Sequence, residues 1–546
     1  MTVVNTAIQT TPAIPMRVKR AWSRQVGWPG LLAGLVVLVA AIPLIFVIFS
    51  SSQLPLEDWR SLWSQRLPGL LWNTLSLAFL VAIGCFVLGV SSAWLVARRR
   101  FVGRGLATWL MVLPLTIPTY VFAHIYTTLF ESDGWLGRAW LAVFGDSVGI
   151  PDLYNVGGAT FVLSLAGFSY VFLLVRTALA QGNPSLEEAA RIQGASPREV
   201  FWHVNLPLLR PAIAASLSLV VLHVLSDFGA VSMLRYQTFT LSIYLQMNSR
   251  FDYQGAAGLS MVLVMLSMMF LVLERFSRRK QRYYASAQQR QAALRPATAF
   301  EQVMIWAWLG LITVFAFVLP MAWMLDWSWV AWRNDFIDTT FWGYVSNSLV
   351  VAAVAASLAI VAAFPVAFFH TRKRSLLSTS YLQLSSIGFV LPGPVIALGV
   401  LSFILAVVAP LYGGLAALFL ALVIRFLPLA VQSQEASLQQ LTPSIEQAGR
   451  SLGAAPLENL RRVVLPMISS GMAGAWVLVF IDALKELPAT LILRPTGFDT
   501  LPVRIWIEAS EEMLELAAPA ALMLVLGTLP ALWLMMRGDK SKGPSR

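Results

Sequence analysis

"EEAARIQGASPREVFWHVNLP", Glu187 to Pro207, is a charged, turn-rich stretch in a chain whose residues are 58% hydrophobic and whose mean hydropathy is +0.71. It returns 259 residues later as "EQAGRSLGAAPLENLRRVVLP", Glu446 to Pro466. A polar segment that recurs at a fixed spacing marks a duplicated unit. The sequence around each copy shows what was duplicated.

That surrounding sequence is membrane-spanning. Only 12% of the 546 residues are charged, and apolar runs of about twenty residues, enough to cross a bilayer core, recur throughout. Twelve candidate spans follow: Trp28–Ser51, Gly69–Ala97, Gly105–Phe130, Val156–Ala180, Pro211–Leu234 and Ala257–Leu273, then Val303–Trp327, Tyr344–His370, Tyr381–Val408, Leu411–Val431, Gly471–Ile492 and Leu516–Met536. The first is too long, and too far from the N-terminus, for a cleavable signal segment, so it reads as an anchor.

The spans fall into two registers of self-similarity. "WNTLSLAF" with Asn73 matches "SNSLVVAA" with Asn347, "ARRRF" matches "HTRKRS", and "TIPTYVFA" with Pro118 matches "FVLPGPVIA" with Pro392, each 274 residues apart. Later matches lie 259 apart, because the second copy lacks most of the loop "ESDGWLGRAWLAVFGDSVGIPDLY". The expected fold is an all-α polytopic membrane protein of about twelve helices, two parallel six-helix repeats related by a pseudo-twofold axis along the membrane normal. Its expected parts are an N-terminal tail (1–27), a first half (28–276), a basic linker (277–299), a second half (300–537) and a C-terminal tail (538–546).

The formal charge of +12 has a topological explanation. With the N-terminus cytoplasmic, 29 of the 39 Lys and Arg fall in cytoplasmic segments and 8 outside, with Arg425 and Lys485 inside spans. This satisfies the positive-inside rule without a nucleic-acid partner, and both termini come out cytoplasmic. The single cysteine, Cys85, reads as a small packing residue. The four histidines show no metal-ligand spacing, so no stable metal site is expected.

In this orientation both polar stretches are cytoplasmic loops between the fourth and fifth spans. Each reads as two short helices. Ser185 with Glu188 forms an S-x-x-E capping box and Ser444 with Gln447 its S-x-x-Q equivalent. Gly194 and Gly453 sit where a left-handed residue ends a helix. A second start follows with Ser196, Pro197 and Glu199, matched by Pro456 and Glu458, while Ala455 lacks a capping oxygen. Leu186, Ala189, Ala190 and Gln193 share one side of the first helix, a small-residue face suited to docking another surface or the protein's own span ends. The basic residues form no stripe, which disfavours a DNA-reading helix-turn-helix.

"EAARIQGASPREVFWHVNLP" resembles the EAA motif of permease subunits of binding-protein-dependent ABC importers. The first copy matches with Glu188, Ala189, Ala190, Gly194, Val204, Leu206 and Pro207. The second keeps Ala448, Gly453, Val463, Leu465 and Pro466, with Gln447 and Gly449 in place of Glu and Ala. The resemblance implies that Glu187, Glu188, Ala189, Ala190, Gly194 and Pro207, with Glu446, Ala448, Gly453 and Pro466, couple the chain to an ATPase subunit. It further implies two copies of that cytoplasmic subunit carrying ATP and Mg, a periplasmic or lipid-anchored substrate-binding protein, and a bacterial inner membrane with its lipid. No cofactor is expected in this chain itself, which has six lysines and none in a G-x-x-x-x-G-K-[ST] phosphate loop.

Ionisable side chains inside spans are costly and are functional candidates by default. Asp227 in "LSDFGAVSMLRY" and Glu486 in "LKELPATLILRP" are equivalent, as are Arg235 and Arg494. They read either as lining a pathway, the two acids facing each other near the axis, or as ion-paired to neighbours such as Lys485. Pro114, Pro118, Pro392 and Pro394 interrupt the third spans, where a broken helix can line a cavity. Met261, Met265, Met268 and Met269 read as packing residues. These stretches resemble the ferric-iron branch of the family, whose hard cation suits oxygen donors; thiamine, polyamine and phosphonate importers have similar permeases. A self-sufficient twelve-span secondary transporter would have no need of two matched docking elements. No nucleophile–base set supports a membrane enzyme.

Overall fold

The computed structural model describes residues 27–181, 189–190, 192–279, 294–389 and 391–540, and these are overwhelmingly helical. Ten helices are long and apolar enough to cross a membrane, and two bent pairs raise the number to twelve. The bent pairs are the third spans of the two halves. Arg104–Thr116 meets Thr119–Leu129 at 94°, and Leu376–Gly388 meets Gly393–Val407 at 105°. Pro118 and Pro392 stand at the two bends with extended backbone and cap the second piece of each span. Proline can donate no helical hydrogen bond and pushes its predecessor out of the helical region.

The fifth spans differ from the expected Pro211–Leu234 and Gly471–Ile492. Each starts earlier and stops short: Leu206–Ser226 is followed after two residues by the short helix Gly229–Met233, and Leu465–Leu484 after three by Pro488–Leu493. Asp227 and Glu486 therefore sit in breaks, not on the face of a continuous helix. The physical cause is a competition for backbone donors. The Asp227 carboxylate accepts from the amides of Ala230 and Val231, and Glu486 from those of Ala489 and Thr490. Each acid thus starts a new helix in place of the old one.

Pro207 and Pro466 do not break the helical path of the chain. The helix runs through both. Phe201–Asn205 and Leu460–Val464 are single π-helical turns that end two residues before these prolines, and Leu62–Arg66 and Val314–Val318 stand in the same relation to Pro68 and Pro320. A widened turn accommodates the ring and the missing donor without a break. Pro456–Leu484 consequently forms one 29-residue rod from the second helix of the loop to the break.

Two hydrophobic cores hold the bundle, and neither belongs to one half. The first combines the second to fifth spans of the first half with the first and last spans of the second, for example Val81, Phe122, Phe168 and Val224 with Leu309, Trp323 and Leu524. The second reverses this, placing Val37, Val47 and Leu263 among Ala355, Ile396, Leu422 and Val479. Small residues permit the crossing. Gly30 lies against Phe369, Gly34 against Tyr381, and Gly399 is so close to the backbone of Pro43 that no Cβ fits. In the other direction Trp308 donates to Ser91 and Trp306 to the carbonyl of Val102.

The repeat is legible in matched polar clamps. Asn73 Nδ2 donates to the carbonyl of Gln237 and Asn347 Nδ2 to that of Asp499, both at 3.0 Å. Cys85 is fully buried against Gly167, as a packing residue should be. Of the four methionines only Met261 is part of the packing; Met265, Met268 and Met269 are exposed on the outer face of their helix. The last span of the first half extends to Arg279, and Arg295–Pro296 at the end of the linker pairs with Arg99–Arg100.

Candidate functional site

Two regions concentrate the expected functional residues. The first is the pair of helix–turn–helix loops. Gly194 and Gly453 occupy the left-handed region at φ +87° and +89°, so each turns the chain between two helices as only glycine does without strain. In the first loop Ser196 and Glu199 form a reciprocal capping box, at 2.7 and 3.3 Å. Donation from the Ser196 amide, and then from its hydroxyl, holds the Glu199 carboxyl below its ordinary range. In the second loop Ala455 offers no such cap, and Glu458 pairs with Arg462 at 3.1 Å instead.

The expected Ser444–Gln447 box does not form. The helix spans Pro443–Ser451 with Thr442 as its cap residue, and the Ser444 hydroxyl bonds to that of Thr442 at 2.9 Å. Proline at the first helical position fixes the start one residue before Ser444. The first-half counterparts Ser185, Leu186, Glu187 and Glu188 lie outside the described residues, while Ala189 is exposed and Ala190 half-buried.

Glu446 is not on the exposed side of its helix, where the coupling role expected of it would place it. It is buried, its carboxylate held by the Arg372 guanidinium through Nε at 2.6 Å and through Nη2, while Arg372 Nη1 also reaches the carbonyl of Leu441. Asn459 Nδ2 donates to the backbone carbonyl of Glu446 at 3.0 Å. This arrangement explains why Gly449 replaces alanine, since a Cβ there would stand 2.3 Å from Asn459 Oδ1. The first half carries Ala190 and Val200 at these two positions. The outward surface is left to Gln447, Ala448, Leu452 and Leu457, of which Leu452 is 89% exposed. Pro207 is half-buried and Pro466 exposed.

The second region is a charged seam where the four broken helices meet. Thr119, first residue after the bend in the first half, donates to Asp227 Oδ2 at 2.5 Å. Its counterpart is Gly393, where a Cβ would meet Pro488, Arg425 and Glu486. Glu486 pairs with Arg425 at 3.7 Å, and Arg425 is also within electrostatic reach of Asp227. The guanidinium of Arg425 thus pairs with Glu486 and acts electrostatically on Asp227 as well. Lys485 Nζ crosses between halves to the carbonyl of Leu115 at 3.1 Å and lies 3.7 Å from Asp482. Arg235 and Arg494 are not gathered here. Arg235 is exposed over the ring of Tyr154 at 5.5 Å, and Arg494 pairs with Asp499 in its own loop. Sequence reading missed Arg372, Asn459 and Asp482, whose partners are distant in sequence or a single turn away on a helix that carried no motif.

Residues 85–282 match a family described as the binding-protein-dependent transport system inner membrane component. An Fe(3+)-transport system permease protein of Haemophilus influenzae is 32% identical over 506 residues, covering 91% of this chain and 96% of its own length. The chain belongs to this permease family. It is a transport protein of the inner membrane. Other relatives match only part of the permease: the sulfate transport system permease protein CysT of Escherichia coli is 30% identical over 45% of the chain and 90% of its own length. The molybdenum transport system permease protein ModB of Haemophilus influenzae is 31% identical over 38% of the chain and 93% of its own length. A bacterial alginate ABC transporter chain is 18% identical with a TM-score of 0.41, covering 48% of the permease and 96% of that chain. Among the described residues no group of three or more His, Cys, Asp or Glu is placed to hold a metal ion.

Proposed function

We propose that this permease carries ferric iron into the cytoplasm, receiving it from a periplasmic or lipid-anchored binding protein and drawing its energy from two copies of a separate cytoplasmic ATPase. ATP and Mg belong to those subunits. The observation that carries this reading is the duplicated helix pair, each member of which continues without interruption into a fifth span that ends at a buried acid. Such a rod delivers a push at the loop to the seam, where the bent third spans can open on one side and close on the other. Both termini and both loops face the cytoplasm in this reading, as the distribution of Lys and Arg requires.

Ferric iron is favoured because a relative that covers 91% of the chain is an Fe(3+)-transport permease, whereas the sulfate and molybdenum relatives cover 45% and 38% of it. The test is uptake of radioactive ferric iron into vesicles containing the permease, its ATPase and its binding protein. Uptake is expected to need all three and ATP. Uptake by the permease alone on a proton gradient would overturn the reading in favour of a secondary carrier.

A further inference from the structure

We propose that the pocket beside Arg99, where the second span ends and the first span of the second half begins, binds an anionic phospholipid, its phosphodiester on arginine and an acyl chain in the pocket. The pocket holds about 200 Å³ and is lined by Leu95, Arg99, Phe300, Glu301, Met304 and Ile305. Two helices long and apolar enough to cross a membrane, Leu56–Arg98 and Ala299–Arg333, meet there at their ends. The pocket therefore lies where hydrocarbon gives way to headgroups.

Its rim is basic. Arg98 ends the second span, and Arg99 and Arg100 follow it directly. Arg104 folds back to donate to the carbonyl of Val96 at 2.6 Å, and the end of the linker lays Arg295 alongside Arg99 as its strand partner. Lining and rim together hold these five arginines and one acid, Glu301. That carboxylate is committed on one side, where Oε2 accepts from the amide of Thr298 at 3.0 Å and caps the helix. Its Oε1 lies 3.4 Å from Arg99 Nη1, yet Nη1 is buried without a hydrogen-bond partner. A buried charged donor left unpaired is costly until an acceptor comes to it. The Arg99 side chain is 24% exposed, so it can turn to an acceptor in the pocket. A phosphodiester supplies the oxygens and the charge that a guanidinium fits best.

The remaining lining tells lipid from a soluble anion. Phe300 is 73% exposed and Met304 48%, both on a membrane-spanning helix beside Leu95 and Ile305. A free phosphate gains nothing from such a floor, whereas an acyl chain buries it. The pocket is smaller than the about 300 to 1,000 Å³ of a drug-sized site, so it takes one end of a chain and leaves the rest in the bilayer. Basic pockets between spans at the membrane edge are where anionic headgroups bind.

The frame is fixed, and only one half keeps it open. Trp306 packs against the left-handed turn at Gly103, donates to the carbonyl of Val102 at 3.0 Å and meets Phe101 edge-on at 6.1 Å. In the other half Phe369 stands 274 residues after Leu95, and its ring lies 3.0 Å from where a Cβ on Gly30 would be. The larger side chain closes the contact that Leu95 leaves open.

The site is independent of the cargo. The experiment uses the full-length permease in detergent, with native mass spectrometry and melting temperature as readouts and phosphatidylglycerol, phosphatidylcholine and inorganic phosphate as probes. Phosphatidylglycerol is expected to bind and to raise the melting temperature, and the other two to do neither at the same concentration. Arg99→Ala with Arg295→Ala is expected to weaken phosphatidylglycerol binding about thirtyfold, at about fivefold for each cation near a lipid surface. Arg295 is exposed, so Arg295→Ala alone reads its about fivefold share on a folded protein. Leu95→Phe copies the other half and leaves every charge in place; it is expected to weaken binding on the order of tenfold, as for two methylenes kept out of the pocket. An equal gain from phosphatidylcholine would leave only ordinary surrounding lipid, and stabilisation by inorganic phosphate alone would make this a site for a free anion. Either result, or unchanged phosphatidylglycerol binding in Arg295→Ala and Leu95→Phe, would overturn the proposal.

Discussion

The two helix-pair loops share a left-handed glycine turn and are fastened by different means. The first closes its turn with local chemistry, Ser196 and Glu199 capping each other within one helical turn. The second has lost that box and is bolted to the transmembrane bundle, through the buried Arg372–Glu446 pair and Asn459. The seam repeats this inequality: both of its cations, Arg425 and Lys485, come from the second half, where the first has Ala166 and Ser226. Duplication supplied the frame, and the copies then divided the work of holding it.

The bolt is where the comparison breaks most readily. Arg372→Ala leaves Glu446 charged and buried, and an uncompensated buried partner costs about 3 to 5 kcal/mol; thermal unfolding in detergent should show the loss, and Glu446→Gln in the same background should recover part of it. Next comes the steric exchange. Gly449→Ala is expected to cost about 1 to 3 kcal/mol by overpacking against Asn459, and adding Asn459→Val, the first half's solution, should restore most of it. Absence of coupling in that double-mutant cycle would refute the compensation.

Smaller effects test where the halves agree. Asn73→Ala and Asn347→Ala each remove one clamp of the same length and should each cost about 1 kcal/mol, equal within the error of a melting curve. The smallest effect belongs to the capping box. The Glu199 carboxyl is held below its ordinary range, so the box contributes fully above the unfolded carboxyl's pKa and is lost as pH falls through the lowered folded value. Hydrogen exchange around Pro197–Val200 should quicken in acid, with no matching change around Pro456–Asn459.

Much of this was readable from residue order. Apolar run length gave the span count, prolines gave the bends at Pro118 and Pro392, and glycine gave the turns at Gly194 and Gly453. All are local rules. The second helix pair starts after Thr442 and not at Ser444, because proline at the first helical position is the stronger start signal. The fifth-span breaks were missed because apolar sequence continues through them and only an acid three or four residues before the amides that donate to it betrays them. Contacts such as Arg372 with Glu446 join residues 74 apart, and no periodicity reports such a pairing. The exchange of first and last spans was equally hidden, since an apolar helix does not say which neighbour it will meet.

That exchange bears on how the protein is made. The first span, Gly27–Ser52, finds its seat against Phe369, Tyr381 and Gly399, which leave the ribosome more than three hundred residues later. At about 5 to 20 residues per second it waits in the bilayer for roughly a quarter of a minute to a minute, its glycine-notched face covered only by lipid.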